Sequence, residues 1–351
     1  MTDIIFSDPR RDLRVLHDAE LPPDLLSFLQ ATVWGQRGIV FRSLDMAEML
    51  SGLARPSFLR LLRGDKTIAV AVRNRKQVDM AGRRYDAVHL ALFAVHPDFT
   101  RQGYGTLLAQ VSRDYYLAAL REPGLLYGYI ESGNEASLRL NLGIGYRDLG
   151  EVRTRLFGRV RPRPSARVGR LAPEERPGML ARLKDVYRGH GLCNFDLSLD
   201  PGHYFVLREG GEIVAGAQIH PVHWQLLRLP GWQGRLATRV LPHIPLLGRD
   251  FTPADLRFAR VGSLYAPAGA EASVSEILEA VLAEQRLPFA AVLADPRGEI
   301  ERRILDKTDF GLLDRGIRGA FHVVGEFRGV DDRDIETLAR GPVVISPRDP
   351  L

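Results

Sequence analysis

The sequence predicts an α/β (α+β) protein built from two copies of one unit. Three observations carry this. At 351 residues the chain exceeds one ordinary hydrophobic core. A hairpin, a strand, a helix, a second strand and a short helix recur in that order in each half. Finally, the strand-to-helix junction of the first half, His96-Pro97-Asp98-Phe99-Thr100-Arg101-Gln102-Gly103-Tyr104-Gly105-Thr106, has the composition of an anion-binding turn.

The elements follow from pattern. Apolar runs at 58–62 and 68–72 flank Gly64-Asp65 and read as a β-hairpin. A strand over 87–95, a helix over 105–120, a strand over 125–130 and a short helix over 136–142 complete the first copy. In the second half, 204–207 and 213–217 flank Gly210-Gly211, and 256–265, 273–285, 289–294 and 299–305 repeat the strand, helix, strand and helix. The endings correspond too, Gly145-Tyr146-Arg147-Asp148 against Asp309-Phe310-Gly311-Leu312. The copies are therefore drawn at 1–158 and 169–328. Between them, 159–168 holds four arginines and two prolines and reads as an exposed, stiff linker, or more sharply as a phosphate-binding arm. The tail, 329–351, is polar before Pro342-Val343-Val344-Ile345, a candidate edge strand.

The junction after Val95 has a specific physics. The first turn of a helix leaves backbone N–H groups without intrahelical acceptors, and the helix dipole adds to their pull on an anion. Gly103 and Gly105 remove side chains that would hold a phosphate away, and Arg101 adds charge. The stretch is neither a nucleotide P-loop nor a dinucleotide fingerprint, since it lacks Gly-Lys-Ser/Thr, a third glycine and a following acid.

Val95, Pro97, Gly103 and Gly105 fall in register with motif A of the GNAT superfamily of acyl-CoA N-acyltransferases, which the stretch resembles. Thr100 stands where that family prefers Arg or Gln. Downstream, Asn134-Glu135-Ala136-Ser137-Leu138-Arg139-Leu140-Asn141 through Gly145-Tyr146 resembles motif B, with Ser137 for Ala, Asn141 for Tyr and Tyr146 for Phe. The resemblance implies that each copy is a mixed, mostly antiparallel central sheet flanked by helices, the whole a tandem GNAT protein. It implies acetyl-CoA as co-substrate, its diphosphate on Arg101, Gln102, Gly103, Tyr104, Gly105 and Thr106. Pantetheine would lie against Phe93, Val95, Asn134 and Asn141, with the backbone N–H of Phe93 or Val95 facing the thioester oxygen.

The implied chemistry is attack of a primary amine on a thioester, which benefits from a base, an oxyanion donor and an acid for the leaving thiolate. His89 lies six residues before Val95, and strand alternation puts it on the face of Ala91, Phe93 and Val95. It is a candidate base, directly or through a water, or else a structural histidine beside the groove. Glu131 is the runner-up, and His96 reads as solvent-exposed. The motif B tyrosine, often the acid, is here Asn141. Thiolate leaves tolerably without help, so the change slows transfer rather than abolishing it. Tyr127, Tyr129 and Tyr146 are alternatives, with Tyr146 better read as core.

The second copy reads as degenerate. After Pro267 it gives Ala268-Gly269-Ala270-Glu271, with one glycine, no basic residue and a carboxylate that would repel a diphosphate. Asp295-Pro296-Arg297-Gly298 lacks the motif B asparagine. Only the first copy is expected to bind acyl-CoA, and the second to shape the acceptor site.

Composition fits this reading. Net charge is +5, with lysine only at Lys66, Lys76, Lys184 and Lys307. The dispersed arginine suits a polyanionic co-substrate, and no basic helix with interleaved aromatics points to nucleic acid. The lone Cys193 forbids an intrachain disulfide and reads as a buried apolar residue. With no leader at the start given and no apolar run of membrane length, the cytoplasm is the expected compartment. His220 and His223 lack a further ligand at metal spacing, so no metal is expected. The apolar, proline-rich segment 220–247 reads as a cap on the second sheet, a lid over an apolar acceptor or a homodimer contact. Two other functions fit the chain: a non-catalytic acyl-CoA-binding regulator, and a Fem-type aminoacyl-tRNA-dependent transferase, the latter disfavoured by an intact diphosphate loop.

Overall fold

A computed structural model describes residues 2–35, 38–229, 251–311, 313–315 and 319–349. In chain order the elements are β1 (Thr2–Asp8), β2 (Leu13–Asp18), α1 (Pro23–Ala31), β3 (Val40–Ser43), α2 (Met46–Ser51), β4 (Pro56–Arg63), β5 (Lys66–Met80) and β6 (Arg83–Val95). There follow α3 (Tyr104–Ala119), β7 (Gly124–Glu131), α4 (Glu135–Gly143), β8 (Arg147–Gly158), β9 (Val168–Arg170), α5 (Arg176–Val186), α6 (Phe195–Ser198), β10 (Tyr204–Glu209) and β11 (Glu212–Arg228). The chain closes with β12 (Leu256–Tyr265), α7 (Ser273–Gln285), β13 (Phe289–Ala294), α8 (Glu299–Lys307), β14 (Gly319–Arg328) and α9 (Asp332–Arg340).

Both expected hairpins form. β4 pairs antiparallel with β5 and β10 with β11. At the second turn Gly210 and Gly211 have φ of +57° and +90°, the geometry that lets a two-residue loop match strand twist. The helices bury the faces that their spacing dictates. α3 turns Tyr104, Leu108, Ser112 and Tyr116 inward, and α7 buries Val274, Ile277, Leu278, Val281 and Leu282. In each copy a parallel pair, β6 with β7 and β12 with β13, flanks its crossover helix, and nearly all other pairings are antiparallel. No described helix is long and apolar enough to cross a membrane.

The strand order shows how the copies join. One sheet runs β1-β2-β4-β5-β6-β7-β14-β8-β13-β12-β11-β10-β9. β14, from the end of the second copy, lies between β7 and β8 of the first, antiparallel to both. β8 in turn pairs with β13. The boundaries drawn at 158 and 328 therefore cut across hydrogen-bonded neighbours, a swap that no local pattern announces. A second tie is β3, which pairs with β11. Between the copies a core of Val78, Tyr85, Leu125, Tyr127, Val152 and Leu293 excludes water.

The linker and tail are more tightly held than expected. Ser165 donates to Glu276 at 2.6 Å, and Arg167 pairs with Glu209 and Glu276, so the linker lies along α7. The tail forms α9, capped by Asp331, and Val343 makes a single bridge to Gly191 rather than extending an edge. Cys193 is buried, and burial raises its thiol pKa.

Because β14 supplies a neighbour to both β7 and β8, residues 1–158 expressed alone should show no cooperative thermal transition by circular dichroism. Adding 159–351 should restore one. A sharp unfolding transition in 1–158 alone would contradict the shared sheet.

Candidate functional site

The site begins where β6 stops. After Val95 a single 3-10 turn at Pro97–Phe99 is closed by its own side chains: the Asp98 N–H donates to His96 Nδ1 at 3.3 Å and Thr100 Oγ1 to the Pro97 carbonyl at 2.9 Å. Gln102 Nε2 donates to the Asp98 carbonyl at 2.9 Å, which ties that side chain to the loop. The chain then passes through left-handed conformations at Arg101 and Gly103, with φ of +61° and +83°. The first bond of α3 runs from the Leu107 N–H to the Gly103 carbonyl, so the amides of Tyr104, Gly105 and Thr106 lie ahead of it.

The two glycines serve different ends. A Cβ on Gly103 would meet nothing within 4 Å, so this position opens onto space. A Cβ on Gly105 would come 3.3 Å from Val95 Cγ2, so that glycine lets the helix start press against the strand. Arg101 and Thr106 are exposed at the loop surface. The Tyr104 ring is buried against Phe99, leaving only its backbone to the loop.

Beside this loop the sheet comes apart. β6 and β7 pair in parallel from Asp86↔Gly124 to Leu90↔Gly128 and no further. On the other side β6 stays paired with β5 to Ala69↔Val95. The His96 N–H donates to the Ile68 carbonyl on β5, so two-residue alternation directs the Phe93 and Val95 amides into the gap. The register slips between Val72↔Leu92 and Arg73↔Leu90, leaving Ala91 as the extra residue of a β-bulge. The bulge inverts the alternation: Leu90, Phe93 and Val95 pack toward α3, whereas Leu92 and Ala94 join the core on the other face.

Arg73 sits at the slip. Its Nη1 donates to the Val72 and Leu92 carbonyls at 3.0 and 3.4 Å, and its Nε to Ser112 Oγ at 3.0 Å. The side chain is buried, burial lowers its pKa, and among the described residues no carboxylate pairs with it. It supplies donors at a point of sheet irregularity that sequence reading passed over.

The gap opens into a cavity of about 880 Å³. One arm runs beside α3 and α4, walled by Ala109, Ser137, Asn141, Ile144 and Tyr146. The other reaches the second copy, where Leu156, Leu226, Phe258 and Phe289 line it. Asn134 Oδ1 accepts from the Ser137 N–H at 3.2 Å and caps α4, and Asn141 Nδ2 donates to the Ser137 carbonyl at 2.9 Å. Both asparagines line the first arm. Glu131, half-buried at the end of β7, lines the same cavity, and burial raises its pKa. Gly38 crosses directly over it: a Cβ there would fall 2.1 Å from Glu131 Oε1.

His89 is placed otherwise than expected. The bulge lies between it and Phe93, so the even spacing no longer puts them on one face, and His89 is not among the residues lining the cavity. It is fully buried against Tyr127 and Tyr129 with neither ring nitrogen hydrogen-bonded. Burial pushes its pKa down to about 4, against the pull of Asp349, whose Oδ1 lies 3.8 Å from Nδ1. Lys76 Nζ donates to the Asp349 oxygens at 2.7 and 2.9 Å. Burial alone would raise the Asp349 pKa, but Lys76, His89 and Arg260 outweigh it and hold the carboxylate below its usual range. Lys76 and Asp349 are 273 positions apart, beyond any local signal.

The corresponding loop of the second copy is filled from within. Glu271 Oε2 accepts the Gly269 N–H at 3.0 Å, and its carboxylate lies 2.8 Å from Arg303. The amides that begin α7 are also engaged, Ser273, Val274 and Ser275 donating to the backbone carbonyls of Ala270, Glu271 and Ala272. The two histidines of β11 are likewise engaged: His220 Nε2 meets Gln218 at 2.8 Å, and His223 meets Asp255. Among the described residues no group of three or more His, Cys, Asp or Glu could hold a metal ion. Of the tryptophan-bearing segment 220–247 expected as a cap or lid, residues up to Arg228 instead continue β11, and those from 230 on lie outside the described residues.

The architecture aligns with that of Saccharomyces cerevisiae N-myristoyltransferase bound to myristoyl-CoA at a TM-score of 0.60, over 90% of this chain and 83% of that one, with 10% identity. The chain has the GNAT fold. The GCN5-related glucosamine N-acetyltransferase region of a fungal multi-domain β-N-acetylglucosaminidase also matches, at a TM-score of 0.55 and 13% identity, over 89% of this chain and 38% of that one. At these identities the likeness is one of fold. No protein-family profile and no curated protein sequence matches the chain. In GNAT terms, α3 and the β6/β7 opening belong to the first copy, and β14 completes that copy's sheet.

His89 gives this region a pH signature. Its pKa is depressed in the fold, so its contribution to stability is full above the unfolded value near 6.5 and is lost as pH falls toward about 4. Denaturant midpoints should show wild type losing ~2 kcal/mol more than His89→Phe between pH 8 and pH 5. Parallel profiles for the two proteins would show that His89 is not held neutral.

Proposed function

We propose that the chain is an acyl-CoA-dependent N-acyltransferase, with acetyl-CoA as donor and a primary amine as acceptor. The observation that carries this is the conjunction of an open helix N-terminus at 104–106 with a strand gap leading from it to a carboxylate of raised pKa. The diphosphate would take the amides of Tyr104, Gly105 and Thr106, with Arg101 beside them, a placement favoured by dipole and charge alike. Pantetheine would follow the first arm of the cavity past Asn134 and Asn141 and complete the unpaired edge of β6 through the Phe93 and Val95 amides.

The thioester then lies beside the bulge. Glu131 takes a proton from the acceptor ammonium, and the neutral amine attacks the carbonyl carbon. The oxyanion that forms is met by a backbone N–H in the gap. Collapse breaks the carbon–sulfur bond, the attacking nitrogen gives its extra proton to solvent to leave the neutral amide, and CoA departs as thiolate, which a thiol pKa near 8.5 permits without a dedicated acid. Asn141 suits this, since its amide is spent on the Ser137 carbonyl. The same substitution favours a second reading, a binder of acyl-CoA that does not turn over. Glu271 in the second copy supports a single CoA site per chain.

Glu131→Gln tests the assignment. Thiol release with acetyl-CoA and an amine should fall by roughly 10²–10³ in kcat, and calorimetric CoA affinity should stay within about twofold. Unchanged kcat across pH 6–9 would remove Glu131 from the chemistry.

A further inference from the structure

The second arm of the cavity is built for something that acetyl-CoA does not fill. A row of aromatic rings forms its wall. Phe41 stacks on Trp224 with centroids 3.6 Å apart, Trp224 meets Phe258 edge-on at 4.7 Å, and Phe258 stacks on Phe289 at 5.0 Å. The row starts on β3 of the first copy and ends on β13 of the second, held across the copies by the β3–β11 pairing. Leu156 and Leu226 add to this apolar wall, while Thr154, Arg159, Arg260 and Asp309 also line the cavity. This arm lies on the far face of the second sheet from α7, since Phe258 turns into it while its neighbours Ala259 and Val261 pack in the core with α7. It belongs to the same cavity as the pantetheine arm, and Glu131 lines that cavity.

We infer that this arm holds the body of the acceptor, and that the acceptor is a primary amine carried on an extended apolar alkyl or aryl group. The inference rests on the acyltransferase reading above. Two arguments choose the amine over a long acyl chain as occupant. An amine must reach the thioester by a route that CoA does not use, and the second arm is that route. The cavity wall also carries a half-buried carboxylate, Glu131, which a passing alkyl chain would desolvate at a cost and which an ammonium would neutralise. An ammonium also gains from aromatic faces as it enters. An acceptor with a polar body would leave its hydrogen bonds unmet along the Phe258 and Phe289 wall.

The test uses the full chain saturated with CoA and titrated calorimetrically with straight-chain primary amines from butyl to decyl. Affinity should rise roughly threefold per methylene. Phe258→Ala should lower decylamine affinity at least tenfold while leaving butylamine and CoA affinity unchanged, and Phe289→Ala, at a half-buried position, serves if Phe258→Ala does not fold. A flat amine series overturns the inference, as does a rise that persists in the Phe258 and Phe289 variants, which would be adsorption. It is equally overturned if acyl-CoA affinity climbs with acyl length and falls in those variants, which would give the arm to the acyl chain. Loss of CoA binding in the wild type would instead refute the underlying acyltransferase reading, so the two failures are distinguishable.

Discussion

Everything proposed for this protein depends on an interrupted ladder. Parallel strands normally keep pairing while both remain extended, because unpaired backbone groups are costly away from water. Here β6 and β7 part after Leu90 and Gly128, and the edge thus exposed is open to a bound extended group. The interruption is held by structure on both sides. Ala91 bulges out of register with β5, and Arg73 sits at that slip with its guanidinium on the Val72 and Leu92 carbonyls. Gly128 keeps the last paired rung tight, since a Cβ there would come 2.9 Å from Leu90 Cβ. Burying a cation without a carboxylate is expensive, and several charge-assisted bonds offset part of that cost.

The two copies divide the work through the same local chemistry with opposite outcomes. In the first, a helix start follows a left-handed glycine and faces open space. In the second, the loop has folded a glutamate back on itself, and Glu271 accepts the Gly269 amide and pairs in charge with Arg303. A carboxylate two residues after the glycine takes up a loop amide and brings negative charge to the start of α7. What the second copy contributes instead is surface: β14 completes the first sheet, and its apolar face extends the cavity that begins at the β6/β7 gap.

Local elements were legible because local physics determines them. The hairpins around Gly64-Asp65 and Gly210-Gly211, the helix after Gly105 and the strand–helix–strand order of both halves follow from periodicity and turn residues, and the structure contains them within a few positions. Three features were not legible. The insertion of β14 between β7 and β8 is a choice of partner, and strands with similar alternation are interchangeable until packed. The bulge at Ala91 carries no glycine or proline to mark it, so counting by twos from Val95 put His89 on the wrong face. The Lys76–Asp349 pair joins β5 to the C-terminal segment, and nothing near either residue in sequence implies the other.

The most direct test of the account is hydrogen exchange at single-amide resolution, with and without CoA. The account predicts slowed exchange at Tyr104, Gly105 and Thr106 and at Phe93 and Val95, with no change at Gly269 or the start of α7. Protection at the second copy's loop, or none at 104–106, would contradict it.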